Sequence, residues 1–215
     1  GYPHLTALDQ GVMTLVQEHR GPTLDEIAVT FTLIGEFHNM LLFSALLTGL
    51  LLLCRQWRQA LFAGGTLLCT ALANTATKNF FARVRPEVLT DPLTTYSMPS
   101  GHASGAFALF LTLGVLAGRG QPPRMRLTWL LLACLPALSI ALSRVYLGAH
   151  WPTDVLAGAM LAACVCAASL WLNQRQTPLN AMPFKVWWLI LPALLALFSF
   201  FALRHLPPAM LRYAY

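Results

Sequence analysis

The chain has 215 residues, of which 57% are hydrophobic and 10% are charged, and its formal net charge is +6. Soluble domains carry about 45–50% apolar and about 25% charged residues, so this composition excludes a disordered chain, a nucleic-acid-binding arm and an ordinary soluble enzyme. It predicts an all-α membrane protein, because apolar helices satisfy their own backbone polar groups inside a bilayer.

The first 35 residues are predicted to form an interfacial lead-in. Apolar residues recur at helical spacing from Leu5 to Val16, with polar residues between them, which is typical of an amphipathic helix at a membrane surface. Gly21-Pro22 interrupts this helix, and a second short helix is expected over 24–34. Because the chain begins with Gly1, a further N-terminal segment or a fused membrane domain is an open expectation.

A membrane domain is predicted over residues 36–215. Each of its apolar runs is long enough, or nearly so, to cross a bilayer, so about six spans are expected. The runs cover 36–54, 59–81, 102–118, 127–146, 152–172 and 186–204. Gly114 and Gly118 form a GxxxG pattern that allows close helix packing.

The basic residues indicate how the spans are oriented. Loops on one side of the membrane hold seven of the 14 Lys and Arg residues. The other seven include a cluster of four, Lys78, Arg83, Arg85 and Arg144. If this cluster is needed for chemistry, the first side holds the excess, and cytoplasmic loops are enriched in Lys and Arg. That side is therefore predicted to be cytoplasmic, and the opposite side to face the periplasm or the cell exterior. The seven residues are Arg55, Arg58, Arg119, Arg124, Arg126, Arg175 and Lys185.

Neither a disulfide framework nor a metal site is expected. The five cysteines lie within or at the ends of apolar runs, as small buried hydrophobic residues do. The chain has eight Asp and Glu, of which Asp154 lies close to other candidate site residues, while Glu87 and Asp91 lie in a nearby loop. A site with two metal ions needs several converging carboxylates or histidines.

Three segments place polar residues at the ends of apolar runs. The first extends from Lys78 to Pro86, the second covers 99–102, and the third extends from Ser143 to Asp154. Successive spans cross the membrane in opposite directions, so the end of the second run, the start of the third, the end of the fourth and the start of the fifth lie at one face. Residues distant in sequence are therefore expected to converge there.

The residue types in these segments suit a phosphate group. The guanidinium groups of Arg85 and Arg144 match pairs of phosphate oxygens, and Lys78 adds a third cation. Ser100 and Gly101 begin a helix, where free backbone N–H groups and the helix dipole favour an anion. An anionic phosphoryl group is therefore the expected ligand.

Two histidines can supply the nucleophile and the acid. Asp154 lies one helical turn after His150 and can hold its imidazole in one tautomer and orientation. Pro152 is tolerated only in a first helical turn, so His150 is expected at the lip of a helix. Each residue alone has an ordinary explanation, such as a snorkelling cation or a helix cap. Their convergence from three segments favours chemistry.

Residues 78–154 resemble the three-part signature of the type 2 phosphatidic acid phosphatases, a superfamily that also includes vanadium haloperoxidases and acid phosphatases. The resemblance is greatest to bacterial integral-membrane lipid phosphatases, and it implies a polytopic helical enzyme of the bacterial inner membrane. The matching elements are Lys78 with Arg85-Pro86, then Pro99-Ser100-Gly101-His102, then Ser143-Arg144 with His150 and Asp154.

The resemblance implies a role for each of these residues and no cofactor. His150 attacks phosphorus to form a phosphohistidine, Asp154 orients it, and His102 protonates the leaving oxygen and later helps to activate water. Arg83 lies outside the matching positions and is expected to contact a lipid headgroup or the interface. The implied phosphate-binding residues are Lys78, Arg85, Ser100, Gly101 and Arg144.

The expected substrate is a lipid phosphate or diphosphate that enters from the bilayer. Undecaprenyl pyrophosphate, phosphatidylglycerol phosphate and phosphatidic acid are the candidates, the first being favoured by its prevalence among bacterial members. A lipid phosphotransferase would use the same intermediate, and only its product would distinguish it. A haloperoxidase is disfavoured by the six apolar runs. A scaffold or transporter subunit would need neither histidine.

Overall fold

The computed structural model describes residues 3–87 and 95–212, and their regular structure consists of eight α-helices. The two N-terminal helices are the shortest of the eight, and all eight follow one another without an intervening strand in the described residues. The helices are α1 (Pro3–Glu18), α2 (Pro22–Ile34), α3 (Phe37–Leu53), α4 (Trp57–Phe81), α5 (Gly101–Gly118), α6 (Pro123–Tyr146), α7 (Pro152–Asn173) and α8 (Phe184–Arg212).

The predicted all-α membrane bundle is confirmed. Five helices, α4 to α8, are long and apolar enough to cross a membrane. Helices α2 and α3 pass the same test only as a pair, and they are bent by 52° at the break between them. The first predicted run, 36–54, therefore corresponds to α3, the second helix of this bent pair, and the chain is an integral membrane protein with five or six spans.

The bundle presents its large apolar side chains outward. Leu61, Leu68, Leu135 and Leu195 are all more than 60% exposed, as expected of side chains that contact lipid. The interior instead holds many small and hydroxyl-bearing residues around α5, which packs against α3, α4, α6 and α7. Small side chains let helices approach closely inside a bilayer, where the hydrophobic effect does not drive helices together. Buried members of this set include Ala63, Thr66, Thr70, Ala103, Ala106, Thr112 and Ala141.

The GxxxG pattern of α5 lies at a helix–helix contact within this chain. A Cβ atom added at Gly114 would lie 3.1 Å from the carbonyl oxygen of Trp129, and one added at Gly118 would lie 3.2 Å from the Cα of Arg126. Both neighbours belong to α6. The two glycines therefore allow α5 and α6 to pack backbone against backbone.

The basic loops lie together at one end of the bundle. Arg58, in the first turn of α4, donates hydrogen bonds to the carbonyl oxygens of Asn173, Thr177 and Pro178, which follow or end α7. Arg119, after α5, donates to the side chain of Gln174. The polar segments at the opposite ends of these helices therefore share the other end of the bundle, as the alternation of spans predicts.

Helices α1 and α2 also lie at the end that holds the polar segments. The apolar stripe of α1 faces away from the protein, with Leu5, Leu8 and Leu15 at least half exposed, while Asp9 on the opposite face is completely buried. Helix α2 packs against α6 and α8. The two N-terminal helices thus form part of the wall around the polar segments.

Candidate active site

The turn after α4 brings the first two cations to one place. Ala82 ends α4 in a left-handed conformation (φ 43°), and its N–H donates to the carbonyl of Lys78. Lys78 Nζ donates to the carbonyl oxygen of Tyr96 at 3.0 Å. Arg85 donates from Nε to the carbonyl oxygen of Thr95 at 2.6 Å. Both cations are therefore held by backbone carbonyl groups of the segment that leads into α5.

The N-terminus of α5 is placed by a close contact with α7. Ser100 caps α5, with its Oγ accepting from the N–H of Ala103 at 3.4 Å, and its own N–H donates to the carbonyl oxygen of Asp154 at 2.9 Å. Gly158 faces this turn, and a Cβ atom there would lie 2.6 Å from the carbonyl oxygen of Ser100. The absence of a side chain at Gly158 thus sets the position of the predicted anion site at Ser100 and Gly101.

Arg144 is a buried cation near the end of α6. Its residue is 2% exposed, and Nη1 donates to Thr32 Oγ1 of α2 at 2.7 Å. After α6 ends, Gly148 adopts φ +70°, and the N–H groups of Ala149 and His150 both donate to the carbonyl oxygen of Arg144. This turn ties His150 to the backbone of Arg144.

The hydrogen bonds of His150 define its tautomer. Nε2 lies 3.0 Å from Nη1 of Arg85, and a guanidinium group can only donate, so Nε2 carries the lone pair. The proton is therefore assigned to Nδ1, which lies 3.4 Å from Ser97 Oγ. Nε2 is the nitrogen that faces the cations, as a nucleophile that attacks a bound phosphoryl group must.

Asp154 acts on His150 mainly through Ser97. The carboxylate oxygen Oδ2 lies 3.8 Å from Nδ1 of His150, which is too far for a hydrogen bond. The hydroxyl of Ser97 donates to the same oxygen and lies between the two residues. The sequence predicted that Asp154 supports His150, but it did not reveal Ser97.

The environment keeps His150 neutral. Burial lowers the pKa of His150 well below its usual range, and the charges of Arg144, Arg85 and Lys78 act in the same direction. A neutral imidazole has a free electron pair at Nε2, which nucleophilic attack requires. The same cations that suit a phosphate therefore also favour the neutral imidazole of His150.

His102 presents an unpartnered nitrogen. Its Nε2 is buried and has no hydrogen-bond partner among the residues that the structure describes. The turn between α2 and α3 packs against the ring, since a Cβ atom added at Gly35 would lie 2.9 Å from Cδ2 of His102. A buried polar atom without a partner is costly, and a bound ligand is one way to satisfy it.

Arg83 lies in a different environment from the lipid headgroup or interface that was expected. Its guanidinium group donates to Asp154 at 2.6 Å and to Asp9 at 2.6 Å, so it lies between two buried carboxylates. Burial alone would lower the pKa of Arg83, but the hydrogen bonds and charges of Asp9 and Asp154 raise it above its usual value. Nothing in the sequence indicated that Arg83 and Asp9 would be partners, because they lie 74 residues apart.

Potential metal ligands are scattered in the described part of the chain. Within residues 3–87 and 95–212, no three His, Cys, Asp or Glu side chains are grouped to hold a metal ion. Asp91 of the predicted loop lies outside the described residues. The five cysteines are free thiols. Arg85 contacts Nε2 of His150, and the charges of Arg144 and Lys78 also act on its ring, so this side of the imidazole suits an anion.

Comparison with protein families gives a match over most of the bundle. The model of the PAP2 superfamily matches residues 59–178, which include all three polar segments.

Among curated proteins, the chain is 39% identical over 95 residues to an undecaprenyl-diphosphatase of Sulfolobus acidocaldarius, covering 42% of this chain and 40% of that protein. It is 35% identical over 127 residues to a decaprenylphosphoryl-5-phosphoribose phosphatase of Mycobacterium tuberculosis, covering 56% and 65%. It is 33% identical over 92 residues to phosphatidylglycerophosphatase B of Bacillus subtilis, covering 40% and 44%. The matches thus span from 40% to 65% of the length of these relatives.

Two solved structures share the fold. A transmembrane PAP2-type phosphatidylglycerolphosphate phosphatase from Bacillus subtilis superimposes with a TM-score of 0.70 at 23% identity, covering 81% of this chain and 88% of that chain. LpxE from Aquifex aeolicus superimposes with a TM-score of 0.61 at 25% identity, covering 76% and 94%.

Proposed function

Because the chain belongs to the PAP2 superfamily, we propose that it hydrolyses a lipid phosphate or diphosphate through a phosphohistidine at His150. The observation that carries this proposal is the arrangement at Nε2 of His150. This nitrogen has its lone pair toward Arg85, and the charges of Arg144 and Lys78 also act on the ring. A nucleophile beside three cations is suited to an anionic electrophile.

The first step transfers the phosphoryl group to the enzyme. Nε2 attacks phosphorus as the bond from phosphorus to the leaving oxygen breaks, and His102 gives that oxygen a proton. Lys78, Arg85, Arg144 and the N-terminus of α5 offset the charge on the remaining phosphoryl oxygens. Ser97 Oγ accepts a hydrogen bond from the N–H at Nδ1 and donates one to Asp154, whose negative charge offsets the positive charge as the imidazole becomes cationic.

The second step returns the enzyme to its starting state. Water attacks the phosphohistidine while His102, now neutral, takes a proton from that water. The bond between phosphorus and Nε2 breaks, inorganic phosphate leaves, and His150 is again neutral. The same histidine therefore acts as an acid in the first step and as a base in the second.

The surroundings of the cations support a lipid substrate. Phe80, Phe81 and Val84 lie between Lys78 and Arg85 in the chain, and each is at least half exposed. Exposed apolar side chains beside the half-buried Lys78 and Arg85 suit a molecule with a phosphate at one end and an acyl or prenyl chain at the other. Relatives named for undecaprenyl diphosphate, a decaprenylphosphoryl sugar phosphate and phosphatidylglycerophosphate make these lipid classes the candidates, with undecaprenyl diphosphate first.

The decisive experiment is a panel of lipid phosphates presented to the purified protein in detergent. Undecaprenyl diphosphate, phosphatidylglycerol phosphate and phosphatidic acid are compared for release of inorganic phosphate, in the presence of EDTA. We expect release from at least one lipid, and we expect EDTA to leave the rate unchanged because Lys78, Arg85 and Arg144 neutralise the phosphoryl oxygens. Transfer of the phosphoryl group to a second lipid without phosphate release would identify a phosphotransferase instead.

Replacing His102 by Ala is expected to slow turnover in a way that depends on the leaving group. General acid catalysis typically contributes about 10²- to 10⁴-fold, and a leaving group of low pKa has less need of a proton. The loss should therefore be small for an aryl phosphate with an acidic phenol and large for an alkyl phosphate. Equal losses for both substrates would contradict the role of His102 as the acid.

The active site is expected to face the periplasm or the cell exterior. The opposite end of the bundle carries the seven loop cations, and cytoplasmic loops are enriched in Lys and Arg. In a variant without the five native cysteines, Cys introduced at the exposed Glu87 should react with an impermeant thiol reagent in intact cells. Cys introduced at the exposed Gln176, at the other end, should react only after the membrane is broken. The reverse pattern would invert the orientation.

A further inference from the structure

A buried bridge links the N-terminal helix to the residues that support His150. Arg83 donates from Nη2 to Asp9 Oδ2 and from Nη1 to Asp154 Oδ1, both at 2.6 Å. Nη1 also donates to Thr153 Oγ1 at 2.7 Å, and that hydroxyl in turn donates to Asp9 Oδ2 at 2.6 Å. Asp9 and Asp154 are completely buried. The cluster joins α1, the turn after α4 and the start of α7.

Asp9 caps α7 from outside that helix. The residue that precedes α7 is Trp151, whose side chain has no oxygen to accept an N–H, and Pro152 at the first position has no N–H. The next N–H, that of Thr153, donates to Asp9 Oδ1 at 3.0 Å. A carboxylate at this position also complements the positive end of the helix dipole. The first turn of α7, which contains Asp154, therefore depends on a residue of α1.

Asp9 also shares the positive charge of Arg83. A single carboxylate facing a guanidinium group would have much of its negative potential neutralised. With a second carboxylate on the other side of Arg83, the three groups together carry one negative charge. Asp154 then remains able to accept from Ser97 and the N–H of Trp151, and to stabilise the charge that His150 acquires on attack.

We propose that Asp9 is a positioning residue for the reaction, which holds Arg83 and the first turn of α7 so that Asp154 supports His150. This inference rests on the proposed function, because its effect is on the rate of phosphoryl transfer. Asp9 is hydrogen-bonded to Arg83 and Thr153, so its effect passes through these two residues. Helix α1 is accordingly part of the catalytic apparatus as well as an amphipathic helix.

The test is the substitution Asp9→Asn, with Glu18→Gln as the matched control. Asn keeps an oxygen for the N–H of Thr153 but turns an N–H group toward Arg83, and it removes the shared charge. Glu18 lies on the same helix, is exposed and loses the same charge. The readout is the single-turnover rate constant of phosphate release with enzyme in saturating excess, because this rate constant does not depend on the fraction of the enzyme that is folded.

We expect Asp9→Asn to lower the rate constant by about 10-fold or more, as loss of a charge close to a reacting group does at low dielectric. Glu18→Gln should match the wild type. Arg83→Lys replaces the two guanidinium nitrogens that contact Asp154 and Asp9 separately with a single ammonium nitrogen, so it should cause a similar loss. The double variant should lose little more than either single variant. An unchanged rate constant for Asp9→Asn, or losses that multiply in the double variant, would overturn the inference. Failure of the wild type to release phosphate would instead overturn the proposed function.

Discussion

Replacing His150 by Ala is expected to reduce lipid phosphate turnover by at least about 10³-fold while leaving the protein folded. Removing a nucleophile leaves only binding and electrostatic stabilisation, which together give a small residual rate. The His150 side chain is 1% exposed, yet its hydrogen bonds are with Arg85 and Ser97, which have other partners. Phosphate release and thermal unfolding in detergent are the two measurements.

The control for this variant is the same substitution at an exposed histidine. His38, exposed at the start of α3, offers the same change from His to Ala. We expect His38→Ala to retain wild-type turnover. If a folded His150→Ala protein released phosphate at the wild-type rate, His150 would not be the nucleophile, and the phosphohistidine mechanism would have to be abandoned.

Replacing Gly158 by Ala is expected to lower both stability and activity, although Ala is the better helix former. In an exposed helix the change would stabilise by about 1 kcal/mol. Here the new Cβ would lie 2.6 Å from the carbonyl oxygen of Ser100 and 3.2 Å from the N of Ser104, so α5 and α7 must separate. Overpacking of this kind typically costs about 1–3 kcal/mol, which outweighs the gain in helix propensity.

Turnover of the Gly158→Ala protein should fall even at temperatures where the protein remains folded. The backbone that must move belongs to Ser100, beside Gly101 and His102, and a shift of about 1 Å in a catalytic group can cost about 10²-fold in rate. Gly65→Ala in α4 is the matched control, because no atom lies within 4 Å of its added Cβ. Turnover and unfolding temperature are compared for both variants. Equal behaviour of the two would show that the contact at Gly158 does not position the site.

The sequence by itself determined the architecture and most of the proposed chemistry. Apolar runs at helical length predict the spans, because a bilayer core admits little else that crosses it. The spacing of Lys78, Arg85, Ser100, Arg144 and His150 along successive spans predicts that they share one end of the bundle. Both predictions depend only on residue type, local periodicity and the alternation of direction, and these are properties of short segments.

The bend between α2 and α3 was not evident from composition. Helices α2 and α3 are each apolar, and the 52° bend between them depends on how α2 packs against α6 and α8. That packing brings Thr32 to Arg144 and Gly35 to His102. Hydropathy reports how readily a segment leaves water, and it contains no information on the angle at which the segment meets its neighbours.

The partners of the buried charges were decided by tertiary structure alone. Arg83 was expected at a headgroup, but it lies between Asp154 and Asp9, and Asp9 accepts from Thr153, which is 144 residues away in sequence. A charged residue on an amphipathic helix faces water in most proteins. Here the helix turns its apolar stripe away from the bundle, so Asp9 faces inward, where a buried carboxylate is stable only beside a cation and several N–H or O–H donors. Which cation that is depends on the packing of α1 against α7, and no local pattern encodes it.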